Sequence, residues 1–129
     1  MSTKTILCID DDEGFLFFLS AVLKRIDPNV NVLTARDGQE ALDVLEKIDE
    51  NPNMMFVDIN MSGMDGHEFF KEYAPIYSEA DTQIFVLSSS EHETDRKLLS
   101  QYDFIDGYLI KPVFEEDLKP HLDRMNTAA

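Results

Sequence analysis

Apolar residues along the 129-residue chain fall into two kinds of run that alternate. Short blocks of consecutive apolar residues read as buried strands, and longer stretches with apolar residues at helical spacing separate them. Thr5–Ile9 is the first predicted strand. A helix follows, capped by Asp12 or a neighbour, with Phe15, Leu16, Phe18, Leu19, Val22, Leu23 and Ile26 on its inner faces. Pro28 and Asn29 break the chain before a second strand at 30–34. Asp37-Gly38 starts a second helix through Ala41, Leu42, Val44, Leu45 and Ile48. The third strand, 54–57, is apolar throughout, as expected where both faces of a parallel sheet are covered.

A loop from Asn60 to Gly66 leads into a short helix ending near Ala74, before Pro75. The fourth strand is read at 84–87, a charged helix at 93–102 and the fifth strand at Ile105–Ile110. A last helix carries Leu118, Leu122 and Met125, with Pro120 inside it, so either a kink or a late start is expected. Five strands alternating with five helices, without a repeat or a low-complexity linker, make an α/β architecture with a parallel sheet covered on both faces. Residues 1–129 are expected to form one domain with no output domain attached.

Composition narrows the function. With 43% hydrophobic residues the chain carries enough apolar surface for a core, which argues against disorder. The formal net charge of −15 opposes binding to nucleic acid phosphates or anionic membranes, so partners should be basic, apolar or cationic. One cysteine, Cys8, permits no internal disulfide and fits a reducing compartment. The chain shows neither a signal-peptide pattern nor an apolar stretch long enough to span a membrane, so a cytoplasmic protein is expected.

Candidate chemistry gathers at the carboxyl ends of the predicted strands, where open parallel sheets place their ligands. The first ends in Asp10-Asp11-Asp12-Glu13, the third in Asp58, the fourth in Ser88-Ser89-Ser90, and the fifth just before Lys111-Pro112. Each has a bland explanation: a helix cap, a turn residue, an ordinary loop, a solvated lysine. Their convergence on one chemistry is the signal. Packed carboxylates raise one another's pKa unless a cation joins them, and hard oxygen donors suit Mg²⁺. His67, His92 and His121 are scattered, read best as surface residues, and offer no zinc set. With a metal present, one carboxylate can attack phosphorus and form an aspartyl phosphate, while a lysine and a hydroxyl hold the phosphoryl oxygens.

The segments 6–12, 56–66, 86–88 and 107–112 together resemble a response regulator receiver domain, in order and over essentially the whole chain. The resemblance implies a five-stranded flavodoxin-like sheet of order 2-1-3-4-5. It implies that Asp58 is the phosphoacceptor, that Asp11 ligates Mg²⁺ directly, and that Asp10 acts mostly through water. Asn60 would supply a backbone carbonyl to the metal. Lys111 would contact the phosphoryl group, Ser88 would move toward it, and Tyr108 would turn inward as the switch aromatic. A sensor histidine kinase or histidine phosphotransfer protein would be the donor. Output would be a phosphorylation-dependent contact with a downstream protein or a second copy of the domain. Three departures stand out. Ser62 lies where the family commonly has proline, which points to a less rigid loop. Ser88 lacks the methyl group of threonine, which points to looser coupling to Tyr108. Asn60 and Ser90 occupy positions that tune the phosphoryl lifetime.

Phe15, Phe17 and Phe18 cannot all face the sheet from one helix; at least two are expected in the core. Phe15, beside the acidic pocket, is expected to be exposed and, with Pro112, to meet the phosphodonor. Among alternative functions, the chain would be a relay intermediate passing the phosphoryl group onward, or a phosphohydrolase with Asp10-x-Asp12 as its core and no cap domain to enclose a substrate. Asp58-x-Asn60-x-Ser62-Gly63 copies the start of a calcium loop, but Phe69 stands where the closing glutamate belongs. A flavin module of the same fold would set its cofactor phosphate against an acidic first loop.

Overall fold

The computed structural model describes residues 3–89 and 93–127, so Ser90 and His92 lie outside the described residues. Five strands, β1 (Thr5–Ile9), β2 (Asn31–Ala35), β3 (Met54–Asp58), β4 (Gln83–Ser88) and β5 (Ile105–Ile110), alternate with five helices. The helices are α1 (Glu13–Ile26), α2 (Gly38–Lys47), α3 (Gly66–Tyr77), α4 (Glu93–Leu99) and α5 (Glu115–Thr127). All strand pairs are parallel, in the order β2-β1-β3-β4-β5 expected from the sequence.

Alternation along the central strands divides the core into two layers. Ile6, Cys8, Met54, Phe56, Phe85 and Leu87 face Leu16, Leu19 and Leu23 of α1 and Leu118, Leu122 and Met125 of α5. Leu7, Ile9, Met55, Val57, Ile84 and Val86 face Ala41 and Leu45 of α2, Phe69, Phe70 and Tyr73 of α3, and Leu99 of α4. Each fully buried large apolar side chain among them contributes about 1.5–3 kcal/mol. The strands therefore read as continuous apolar runs, and their polar residues collect at the ends.

Three aspartates set where helices start on that polar edge. Asp12 accepts from the N–H of Phe15 (3.1 Å) and Asp37 from that of Glu40 (2.8 Å). Asp65 accepts from the N–H of Glu68 (2.9 Å), whose carboxylate accepts from the Asp65 N–H in return. Such caps satisfy N–H groups that have no partner inside the helix.

Several boundaries differ from the expectation. β2 begins one residue later than read, at Asn31, and takes in Ala35. α3 continues through Pro75 to Tyr77 instead of ending near Ala74. Pro75 is exposed in the last turn, where the hydrogen bond it removes costs least, while Phe69, Phe70 and Tyr73 hold the opposite face in the core. α5 starts at Glu115 and runs through an equally exposed Pro120, so there is no late start. α4 stops at Leu99 rather than 102, because Ser100 Oγ and Gln101 Nε2 donate to the carbonyls of Lys97 and Leu98. Tyr102 then turns into an aromatic cluster with Phe70 and Phe104. No helix among the described residues is long and apolar enough to cross a membrane.

Candidate functional site

The polar edge of the sheet assembles at the carboxyl ends of β1, β3, β4 and β5. Asp10 follows β1 and is 1% exposed; Asp58 closes β3 and is 4% exposed; Asp11 faces solvent. One carboxylate oxygen from each lies within 4.8 Å of the other two, the only such acidic group among the described residues. Gly66 lets the start of α3 sit directly on the end of β3. A Cβ there would fall 2.7 Å from Ile59 Cα and 2.9 Å from the Asp58 carbonyl oxygen.

Each carboxylate has a holder. Asp10 Oδ1 accepts from the Asp12 N–H (2.9 Å), and its Oδ2 pairs with Lys111 Nζ at 2.5 Å. Asp58 Oδ1 accepts from the Asn60 N–H (3.2 Å), with Lys111 Nζ 3.7 Å from Oδ2. Asp11 Oδ2 accepts from both the N–H and the hydroxyl of Ser62. The loop after Asp58, where the family's proline is missing, is therefore tied to Asp11 at Ser62. Lys111 is fixed in turn: its own N–H donates to the Ser88 carbonyl (2.8 Å), and its ammonium lies 4.3 Å from the centre of the Phe15 ring.

Burial pushes the Asp58 carboxyl up to about 6, with the Asp10 charge adding to the rise; Lys111 and the Asn60 N–H pull the other way. Three carboxylates against one ammonium leave the pocket with an anionic surplus. All its donors are hard oxygens, and neither His nor Cys takes part. That donor set fits Mg²⁺.

Ser88 ends β4, is 8% exposed, and pairs in register with Ile110, two positions along β5 from Tyr108. A narrow cavity of about 10 Å³, room for one water at most, lies between Ser88, Tyr108 and Asp95-Arg96 of α4. Tyr108 is half-buried, with the Arg96 guanidinium 4.8 Å from its ring centre. Burial raises its hydroxyl pKa and Arg96 lowers it, the rise prevailing. Pro112 is exposed and follows Lys111 through a cis peptide bond.

The structure thus brings Asp10, Asp11, Asp58, Asn60, Ser88 and Lys111 to one edge, with Tyr108 behind Ser88. Phe15 is not the exposed member of its trio, nor are two of the three in the core. Phe15 is half-buried against the α1 layer, whereas Phe17 and Phe18 are 79% and 44% exposed. At 100° per residue, the stripe of Leu16, Leu19, Val22 and Leu23 puts Phe15 at its margin and Phe17 opposite. Two contacts had no signal in the sequence: the Phe15 ring under Lys111 and the Ser62 grip on Asp11. His67 and His121 are also half-buried rather than simply on the surface. His67 Nε2 lies 2.8 Å from Asp95 Oδ1, joining α3 to α4, and His121 stacks on Phe85 with centroids 4.2 Å apart.

Comparison with known proteins gives the same picture over the whole chain. The response regulator receiver domain profile matches residues 6–123. The chain is 32% identical over 114 residues to protein PilG of Pseudomonas aeruginosa, covering 88% of this chain and 80% of that one. It is 39% identical over 88 residues, 68% of this chain, to the protein-glutamate methylesterase/protein-glutamine glutaminase 3 of Vibrio cholerae, spanning only 23% of that protein's length. Among solved structures, a two-component response regulator from Legionella pneumophila superposes with a TM-score of 0.86 at 27% identity, covering 98% of this chain and 100% of that one.

Proposed function

Because the chain belongs to the response regulator receiver domain family of two-component signalling, we propose that it accepts a phosphoryl group on Asp58 with Mg²⁺. It then signals through a protein contact that depends on that group. The observation that carries the reading is the buried Asp58 carboxylate, grouped with Asp10 and Asp11, with Lys111 reaching both Asp10 and Asp58 and a hydroxyl at the next strand end. The donor is a phosphohistidine on a sensor kinase or a histidine phosphotransfer protein.

An Asp58 carboxylate oxygen forms the new bond to phosphorus as the phosphorus–nitrogen bond breaks, and the imidazole takes up a proton as it leaves. Asp10, Asp11, Asp58 and the Asn60 carbonyl would hold Mg²⁺, which when bound neutralises charge on the transferring group. Lys111 Nζ, already 3.7 Å from Asp58 Oδ2, is placed to bind a phosphoryl oxygen. The arriving group brings charge and strong acceptors to Asp58, drawing the Ser88 hydroxyl toward it. Space behind Ser88 then opens to Tyr108, whose contact with Arg96 links it to α4. The face of α4, β5 and α5 shifts its population of states accordingly. The net charge of −15 suits a basic or apolar protein partner or a second copy, and the single cysteine fits the reducing cytoplasm.

Intact mass after incubation with acetyl phosphate and Mg²⁺, for wild type and Asp58→Asn, tests this. The expected result is a labile gain of one phosphoryl group that needs the metal and is absent in the variant. A wild type that shows neither a phosphoryl gain nor beryllofluoride binding would overturn the reading.

A further inference from the structure

We propose that Ser62 is a positioning residue that presets the Asp11 carboxylate for Mg²⁺, an inference that rests on the reading of the acidic cluster as a Mg²⁺ site. Asp10 and Asp58 are buried, and their orientation is held by packing as well as by Lys111 and backbone N–H groups. Asp11 has no such confinement, because its side chain faces solvent. What fixes it is one residue 51 positions away: the Ser62 N–H at 3.1 Å and the Ser62 hydroxyl at 3.3 Å, both donating to Oδ2. This leaves Oδ1 without a claim from Ser62.

The grip is firm because the loop that carries Ser62 is anchored on its far side. The Gly38 N–H donates to the Met64 carbonyl at 2.8 Å, and the intervening Gly63 adopts a φ of 75° that only glycine takes without strain. The hydroxyl and N–H are thus presented from a fixed frame. A hard cation binds most tightly where its oxygens are already in place, since ordering a loose side chain at the moment of binding weakens the complex. Proline at this position would supply neither donor, so the two hydrogen bonds are a device of this chain's serine.

The test is calorimetric titration of Mg²⁺ alone, without phosphodonor, into wild type, Ser62→Ala and Ser62→Thr. Ser62→Ala keeps the N–H and loses the hydroxyl, and its Mg²⁺ affinity should fall about fivefold. Ser62→Thr keeps both donors and should restore binding to within about twofold of wild type. Urea midpoints without metal should stay together, separating positioning from general destabilisation. Equal affinity in wild type and Ser62→Ala, or a threonine variant no better than the alanine one, would overturn the role of Ser62 alone. A wild type that takes up no Mg²⁺ would instead overturn the metal site beneath it.

Discussion

Replacing Asp58 by asparagine should make the metal-free protein more stable at neutral pH. The carboxyl titrates near 6 in the folded chain, against about 3.9 when unfolded. The sign follows directly. Below pH 4 the group is protonated in both states and exerts no effect. As pH rises toward 6 the unfolded chain releases the proton first, so folding loses stability, and above 6 the loss is complete. At about 1.4 kcal/mol per pH unit, the ceiling is about 3 kcal/mol. The pocket opens to water beside exposed Asp11, and screening there reduces the expected gain to about 2 kcal/mol. The amide of the Asp58→Asn variant keeps an oxygen for the Asn60 N–H, and Lys111 keeps its 2.5 Å partner Asp10, so the substitution strands no buried group. Urea unfolding followed by circular dichroism at pH 7.5 and 4.5 reads the effect. The variant should lead by about 2 kcal/mol, or about 8 °C in Tm, at the higher pH and by about a third of that at the lower. Saturating Mg²⁺ should narrow the lead at pH 7.5, because the metal stabilises wild type more than the variant. A variant no more stable than wild type, or a lead independent of pH, would refute the electrostatic reasoning.

Other outcomes follow from single contacts. Phe15→Leu keeps apolar bulk but removes the ring beneath Lys111, and should cost about 1 kcal/mol in urea unfolding. Phe17→Ala, on the outward face, should stay within about 0.5 kcal/mol of wild type. Gly66→Ala would drive a methyl group into the backbone of Asp58 and Ile59; a loss of about 2 kcal/mol is expected, together with slower phosphorylation in the intact-mass assay. The Cys8 thiol is buried and its pKa is raised by burial and by Asp10, so a thiol reagent should label it only as fast as the chain unfolds. Labelling in seconds under native conditions would contradict the packing around β1.

What was legible in the sequence, and what was not, divides along a physical line. Strand runs such as 54–57 and caps such as Asp12 and Asp37 are local, and local pattern found them. The gathering of Asp10, Asp58, Ser88 and Lys111 at one edge was legible because every parallel strand delivers its carboxyl end to the same side. The errors arose where a tertiary contact outweighed a local rule. Pro75 and Pro120 stand inside helices because each ring points to water while the opposite face is buried. The contacts of Phe15 and Ser62 were not foreseen because their partners, Lys111 and Asp11, lie 96 and 51 positions away and no spacing rule connects them. Position on the α1 stripe would have found the half-burial of Phe15, had Leu16, Leu19 and Leu23 been given precedence over the neighbouring phenylalanines.

The same contacts bear on the order of events in the proposed reaction. Lys111 Nζ lies 2.5 Å from Asp10 and farther, at 3.7 Å, from Asp58. Its ammonium is therefore committed to the carboxylate that would face the cation. Asp10, Asp11 and Asp58 would hold a divalent ion there, and its charge would compensate Asp10 in place of Lys111, leaving Nζ available to Asp58. The Phe15 ring would keep the ammonium partly shielded in such a movement, because a π face attracts a cation over a range of positions. The Lys111 backbone cannot follow, since its N–H is fixed to the Ser88 carbonyl. Lys111 thus shares its backbone anchor with Ser88, the residue proposed to carry the signal toward Tyr108. On the proposed reading, a phosphoryl group arriving without the cation would meet three carboxylates and an ammonium already paired with Asp10, so phosphorylation of Asp58 should require the metal.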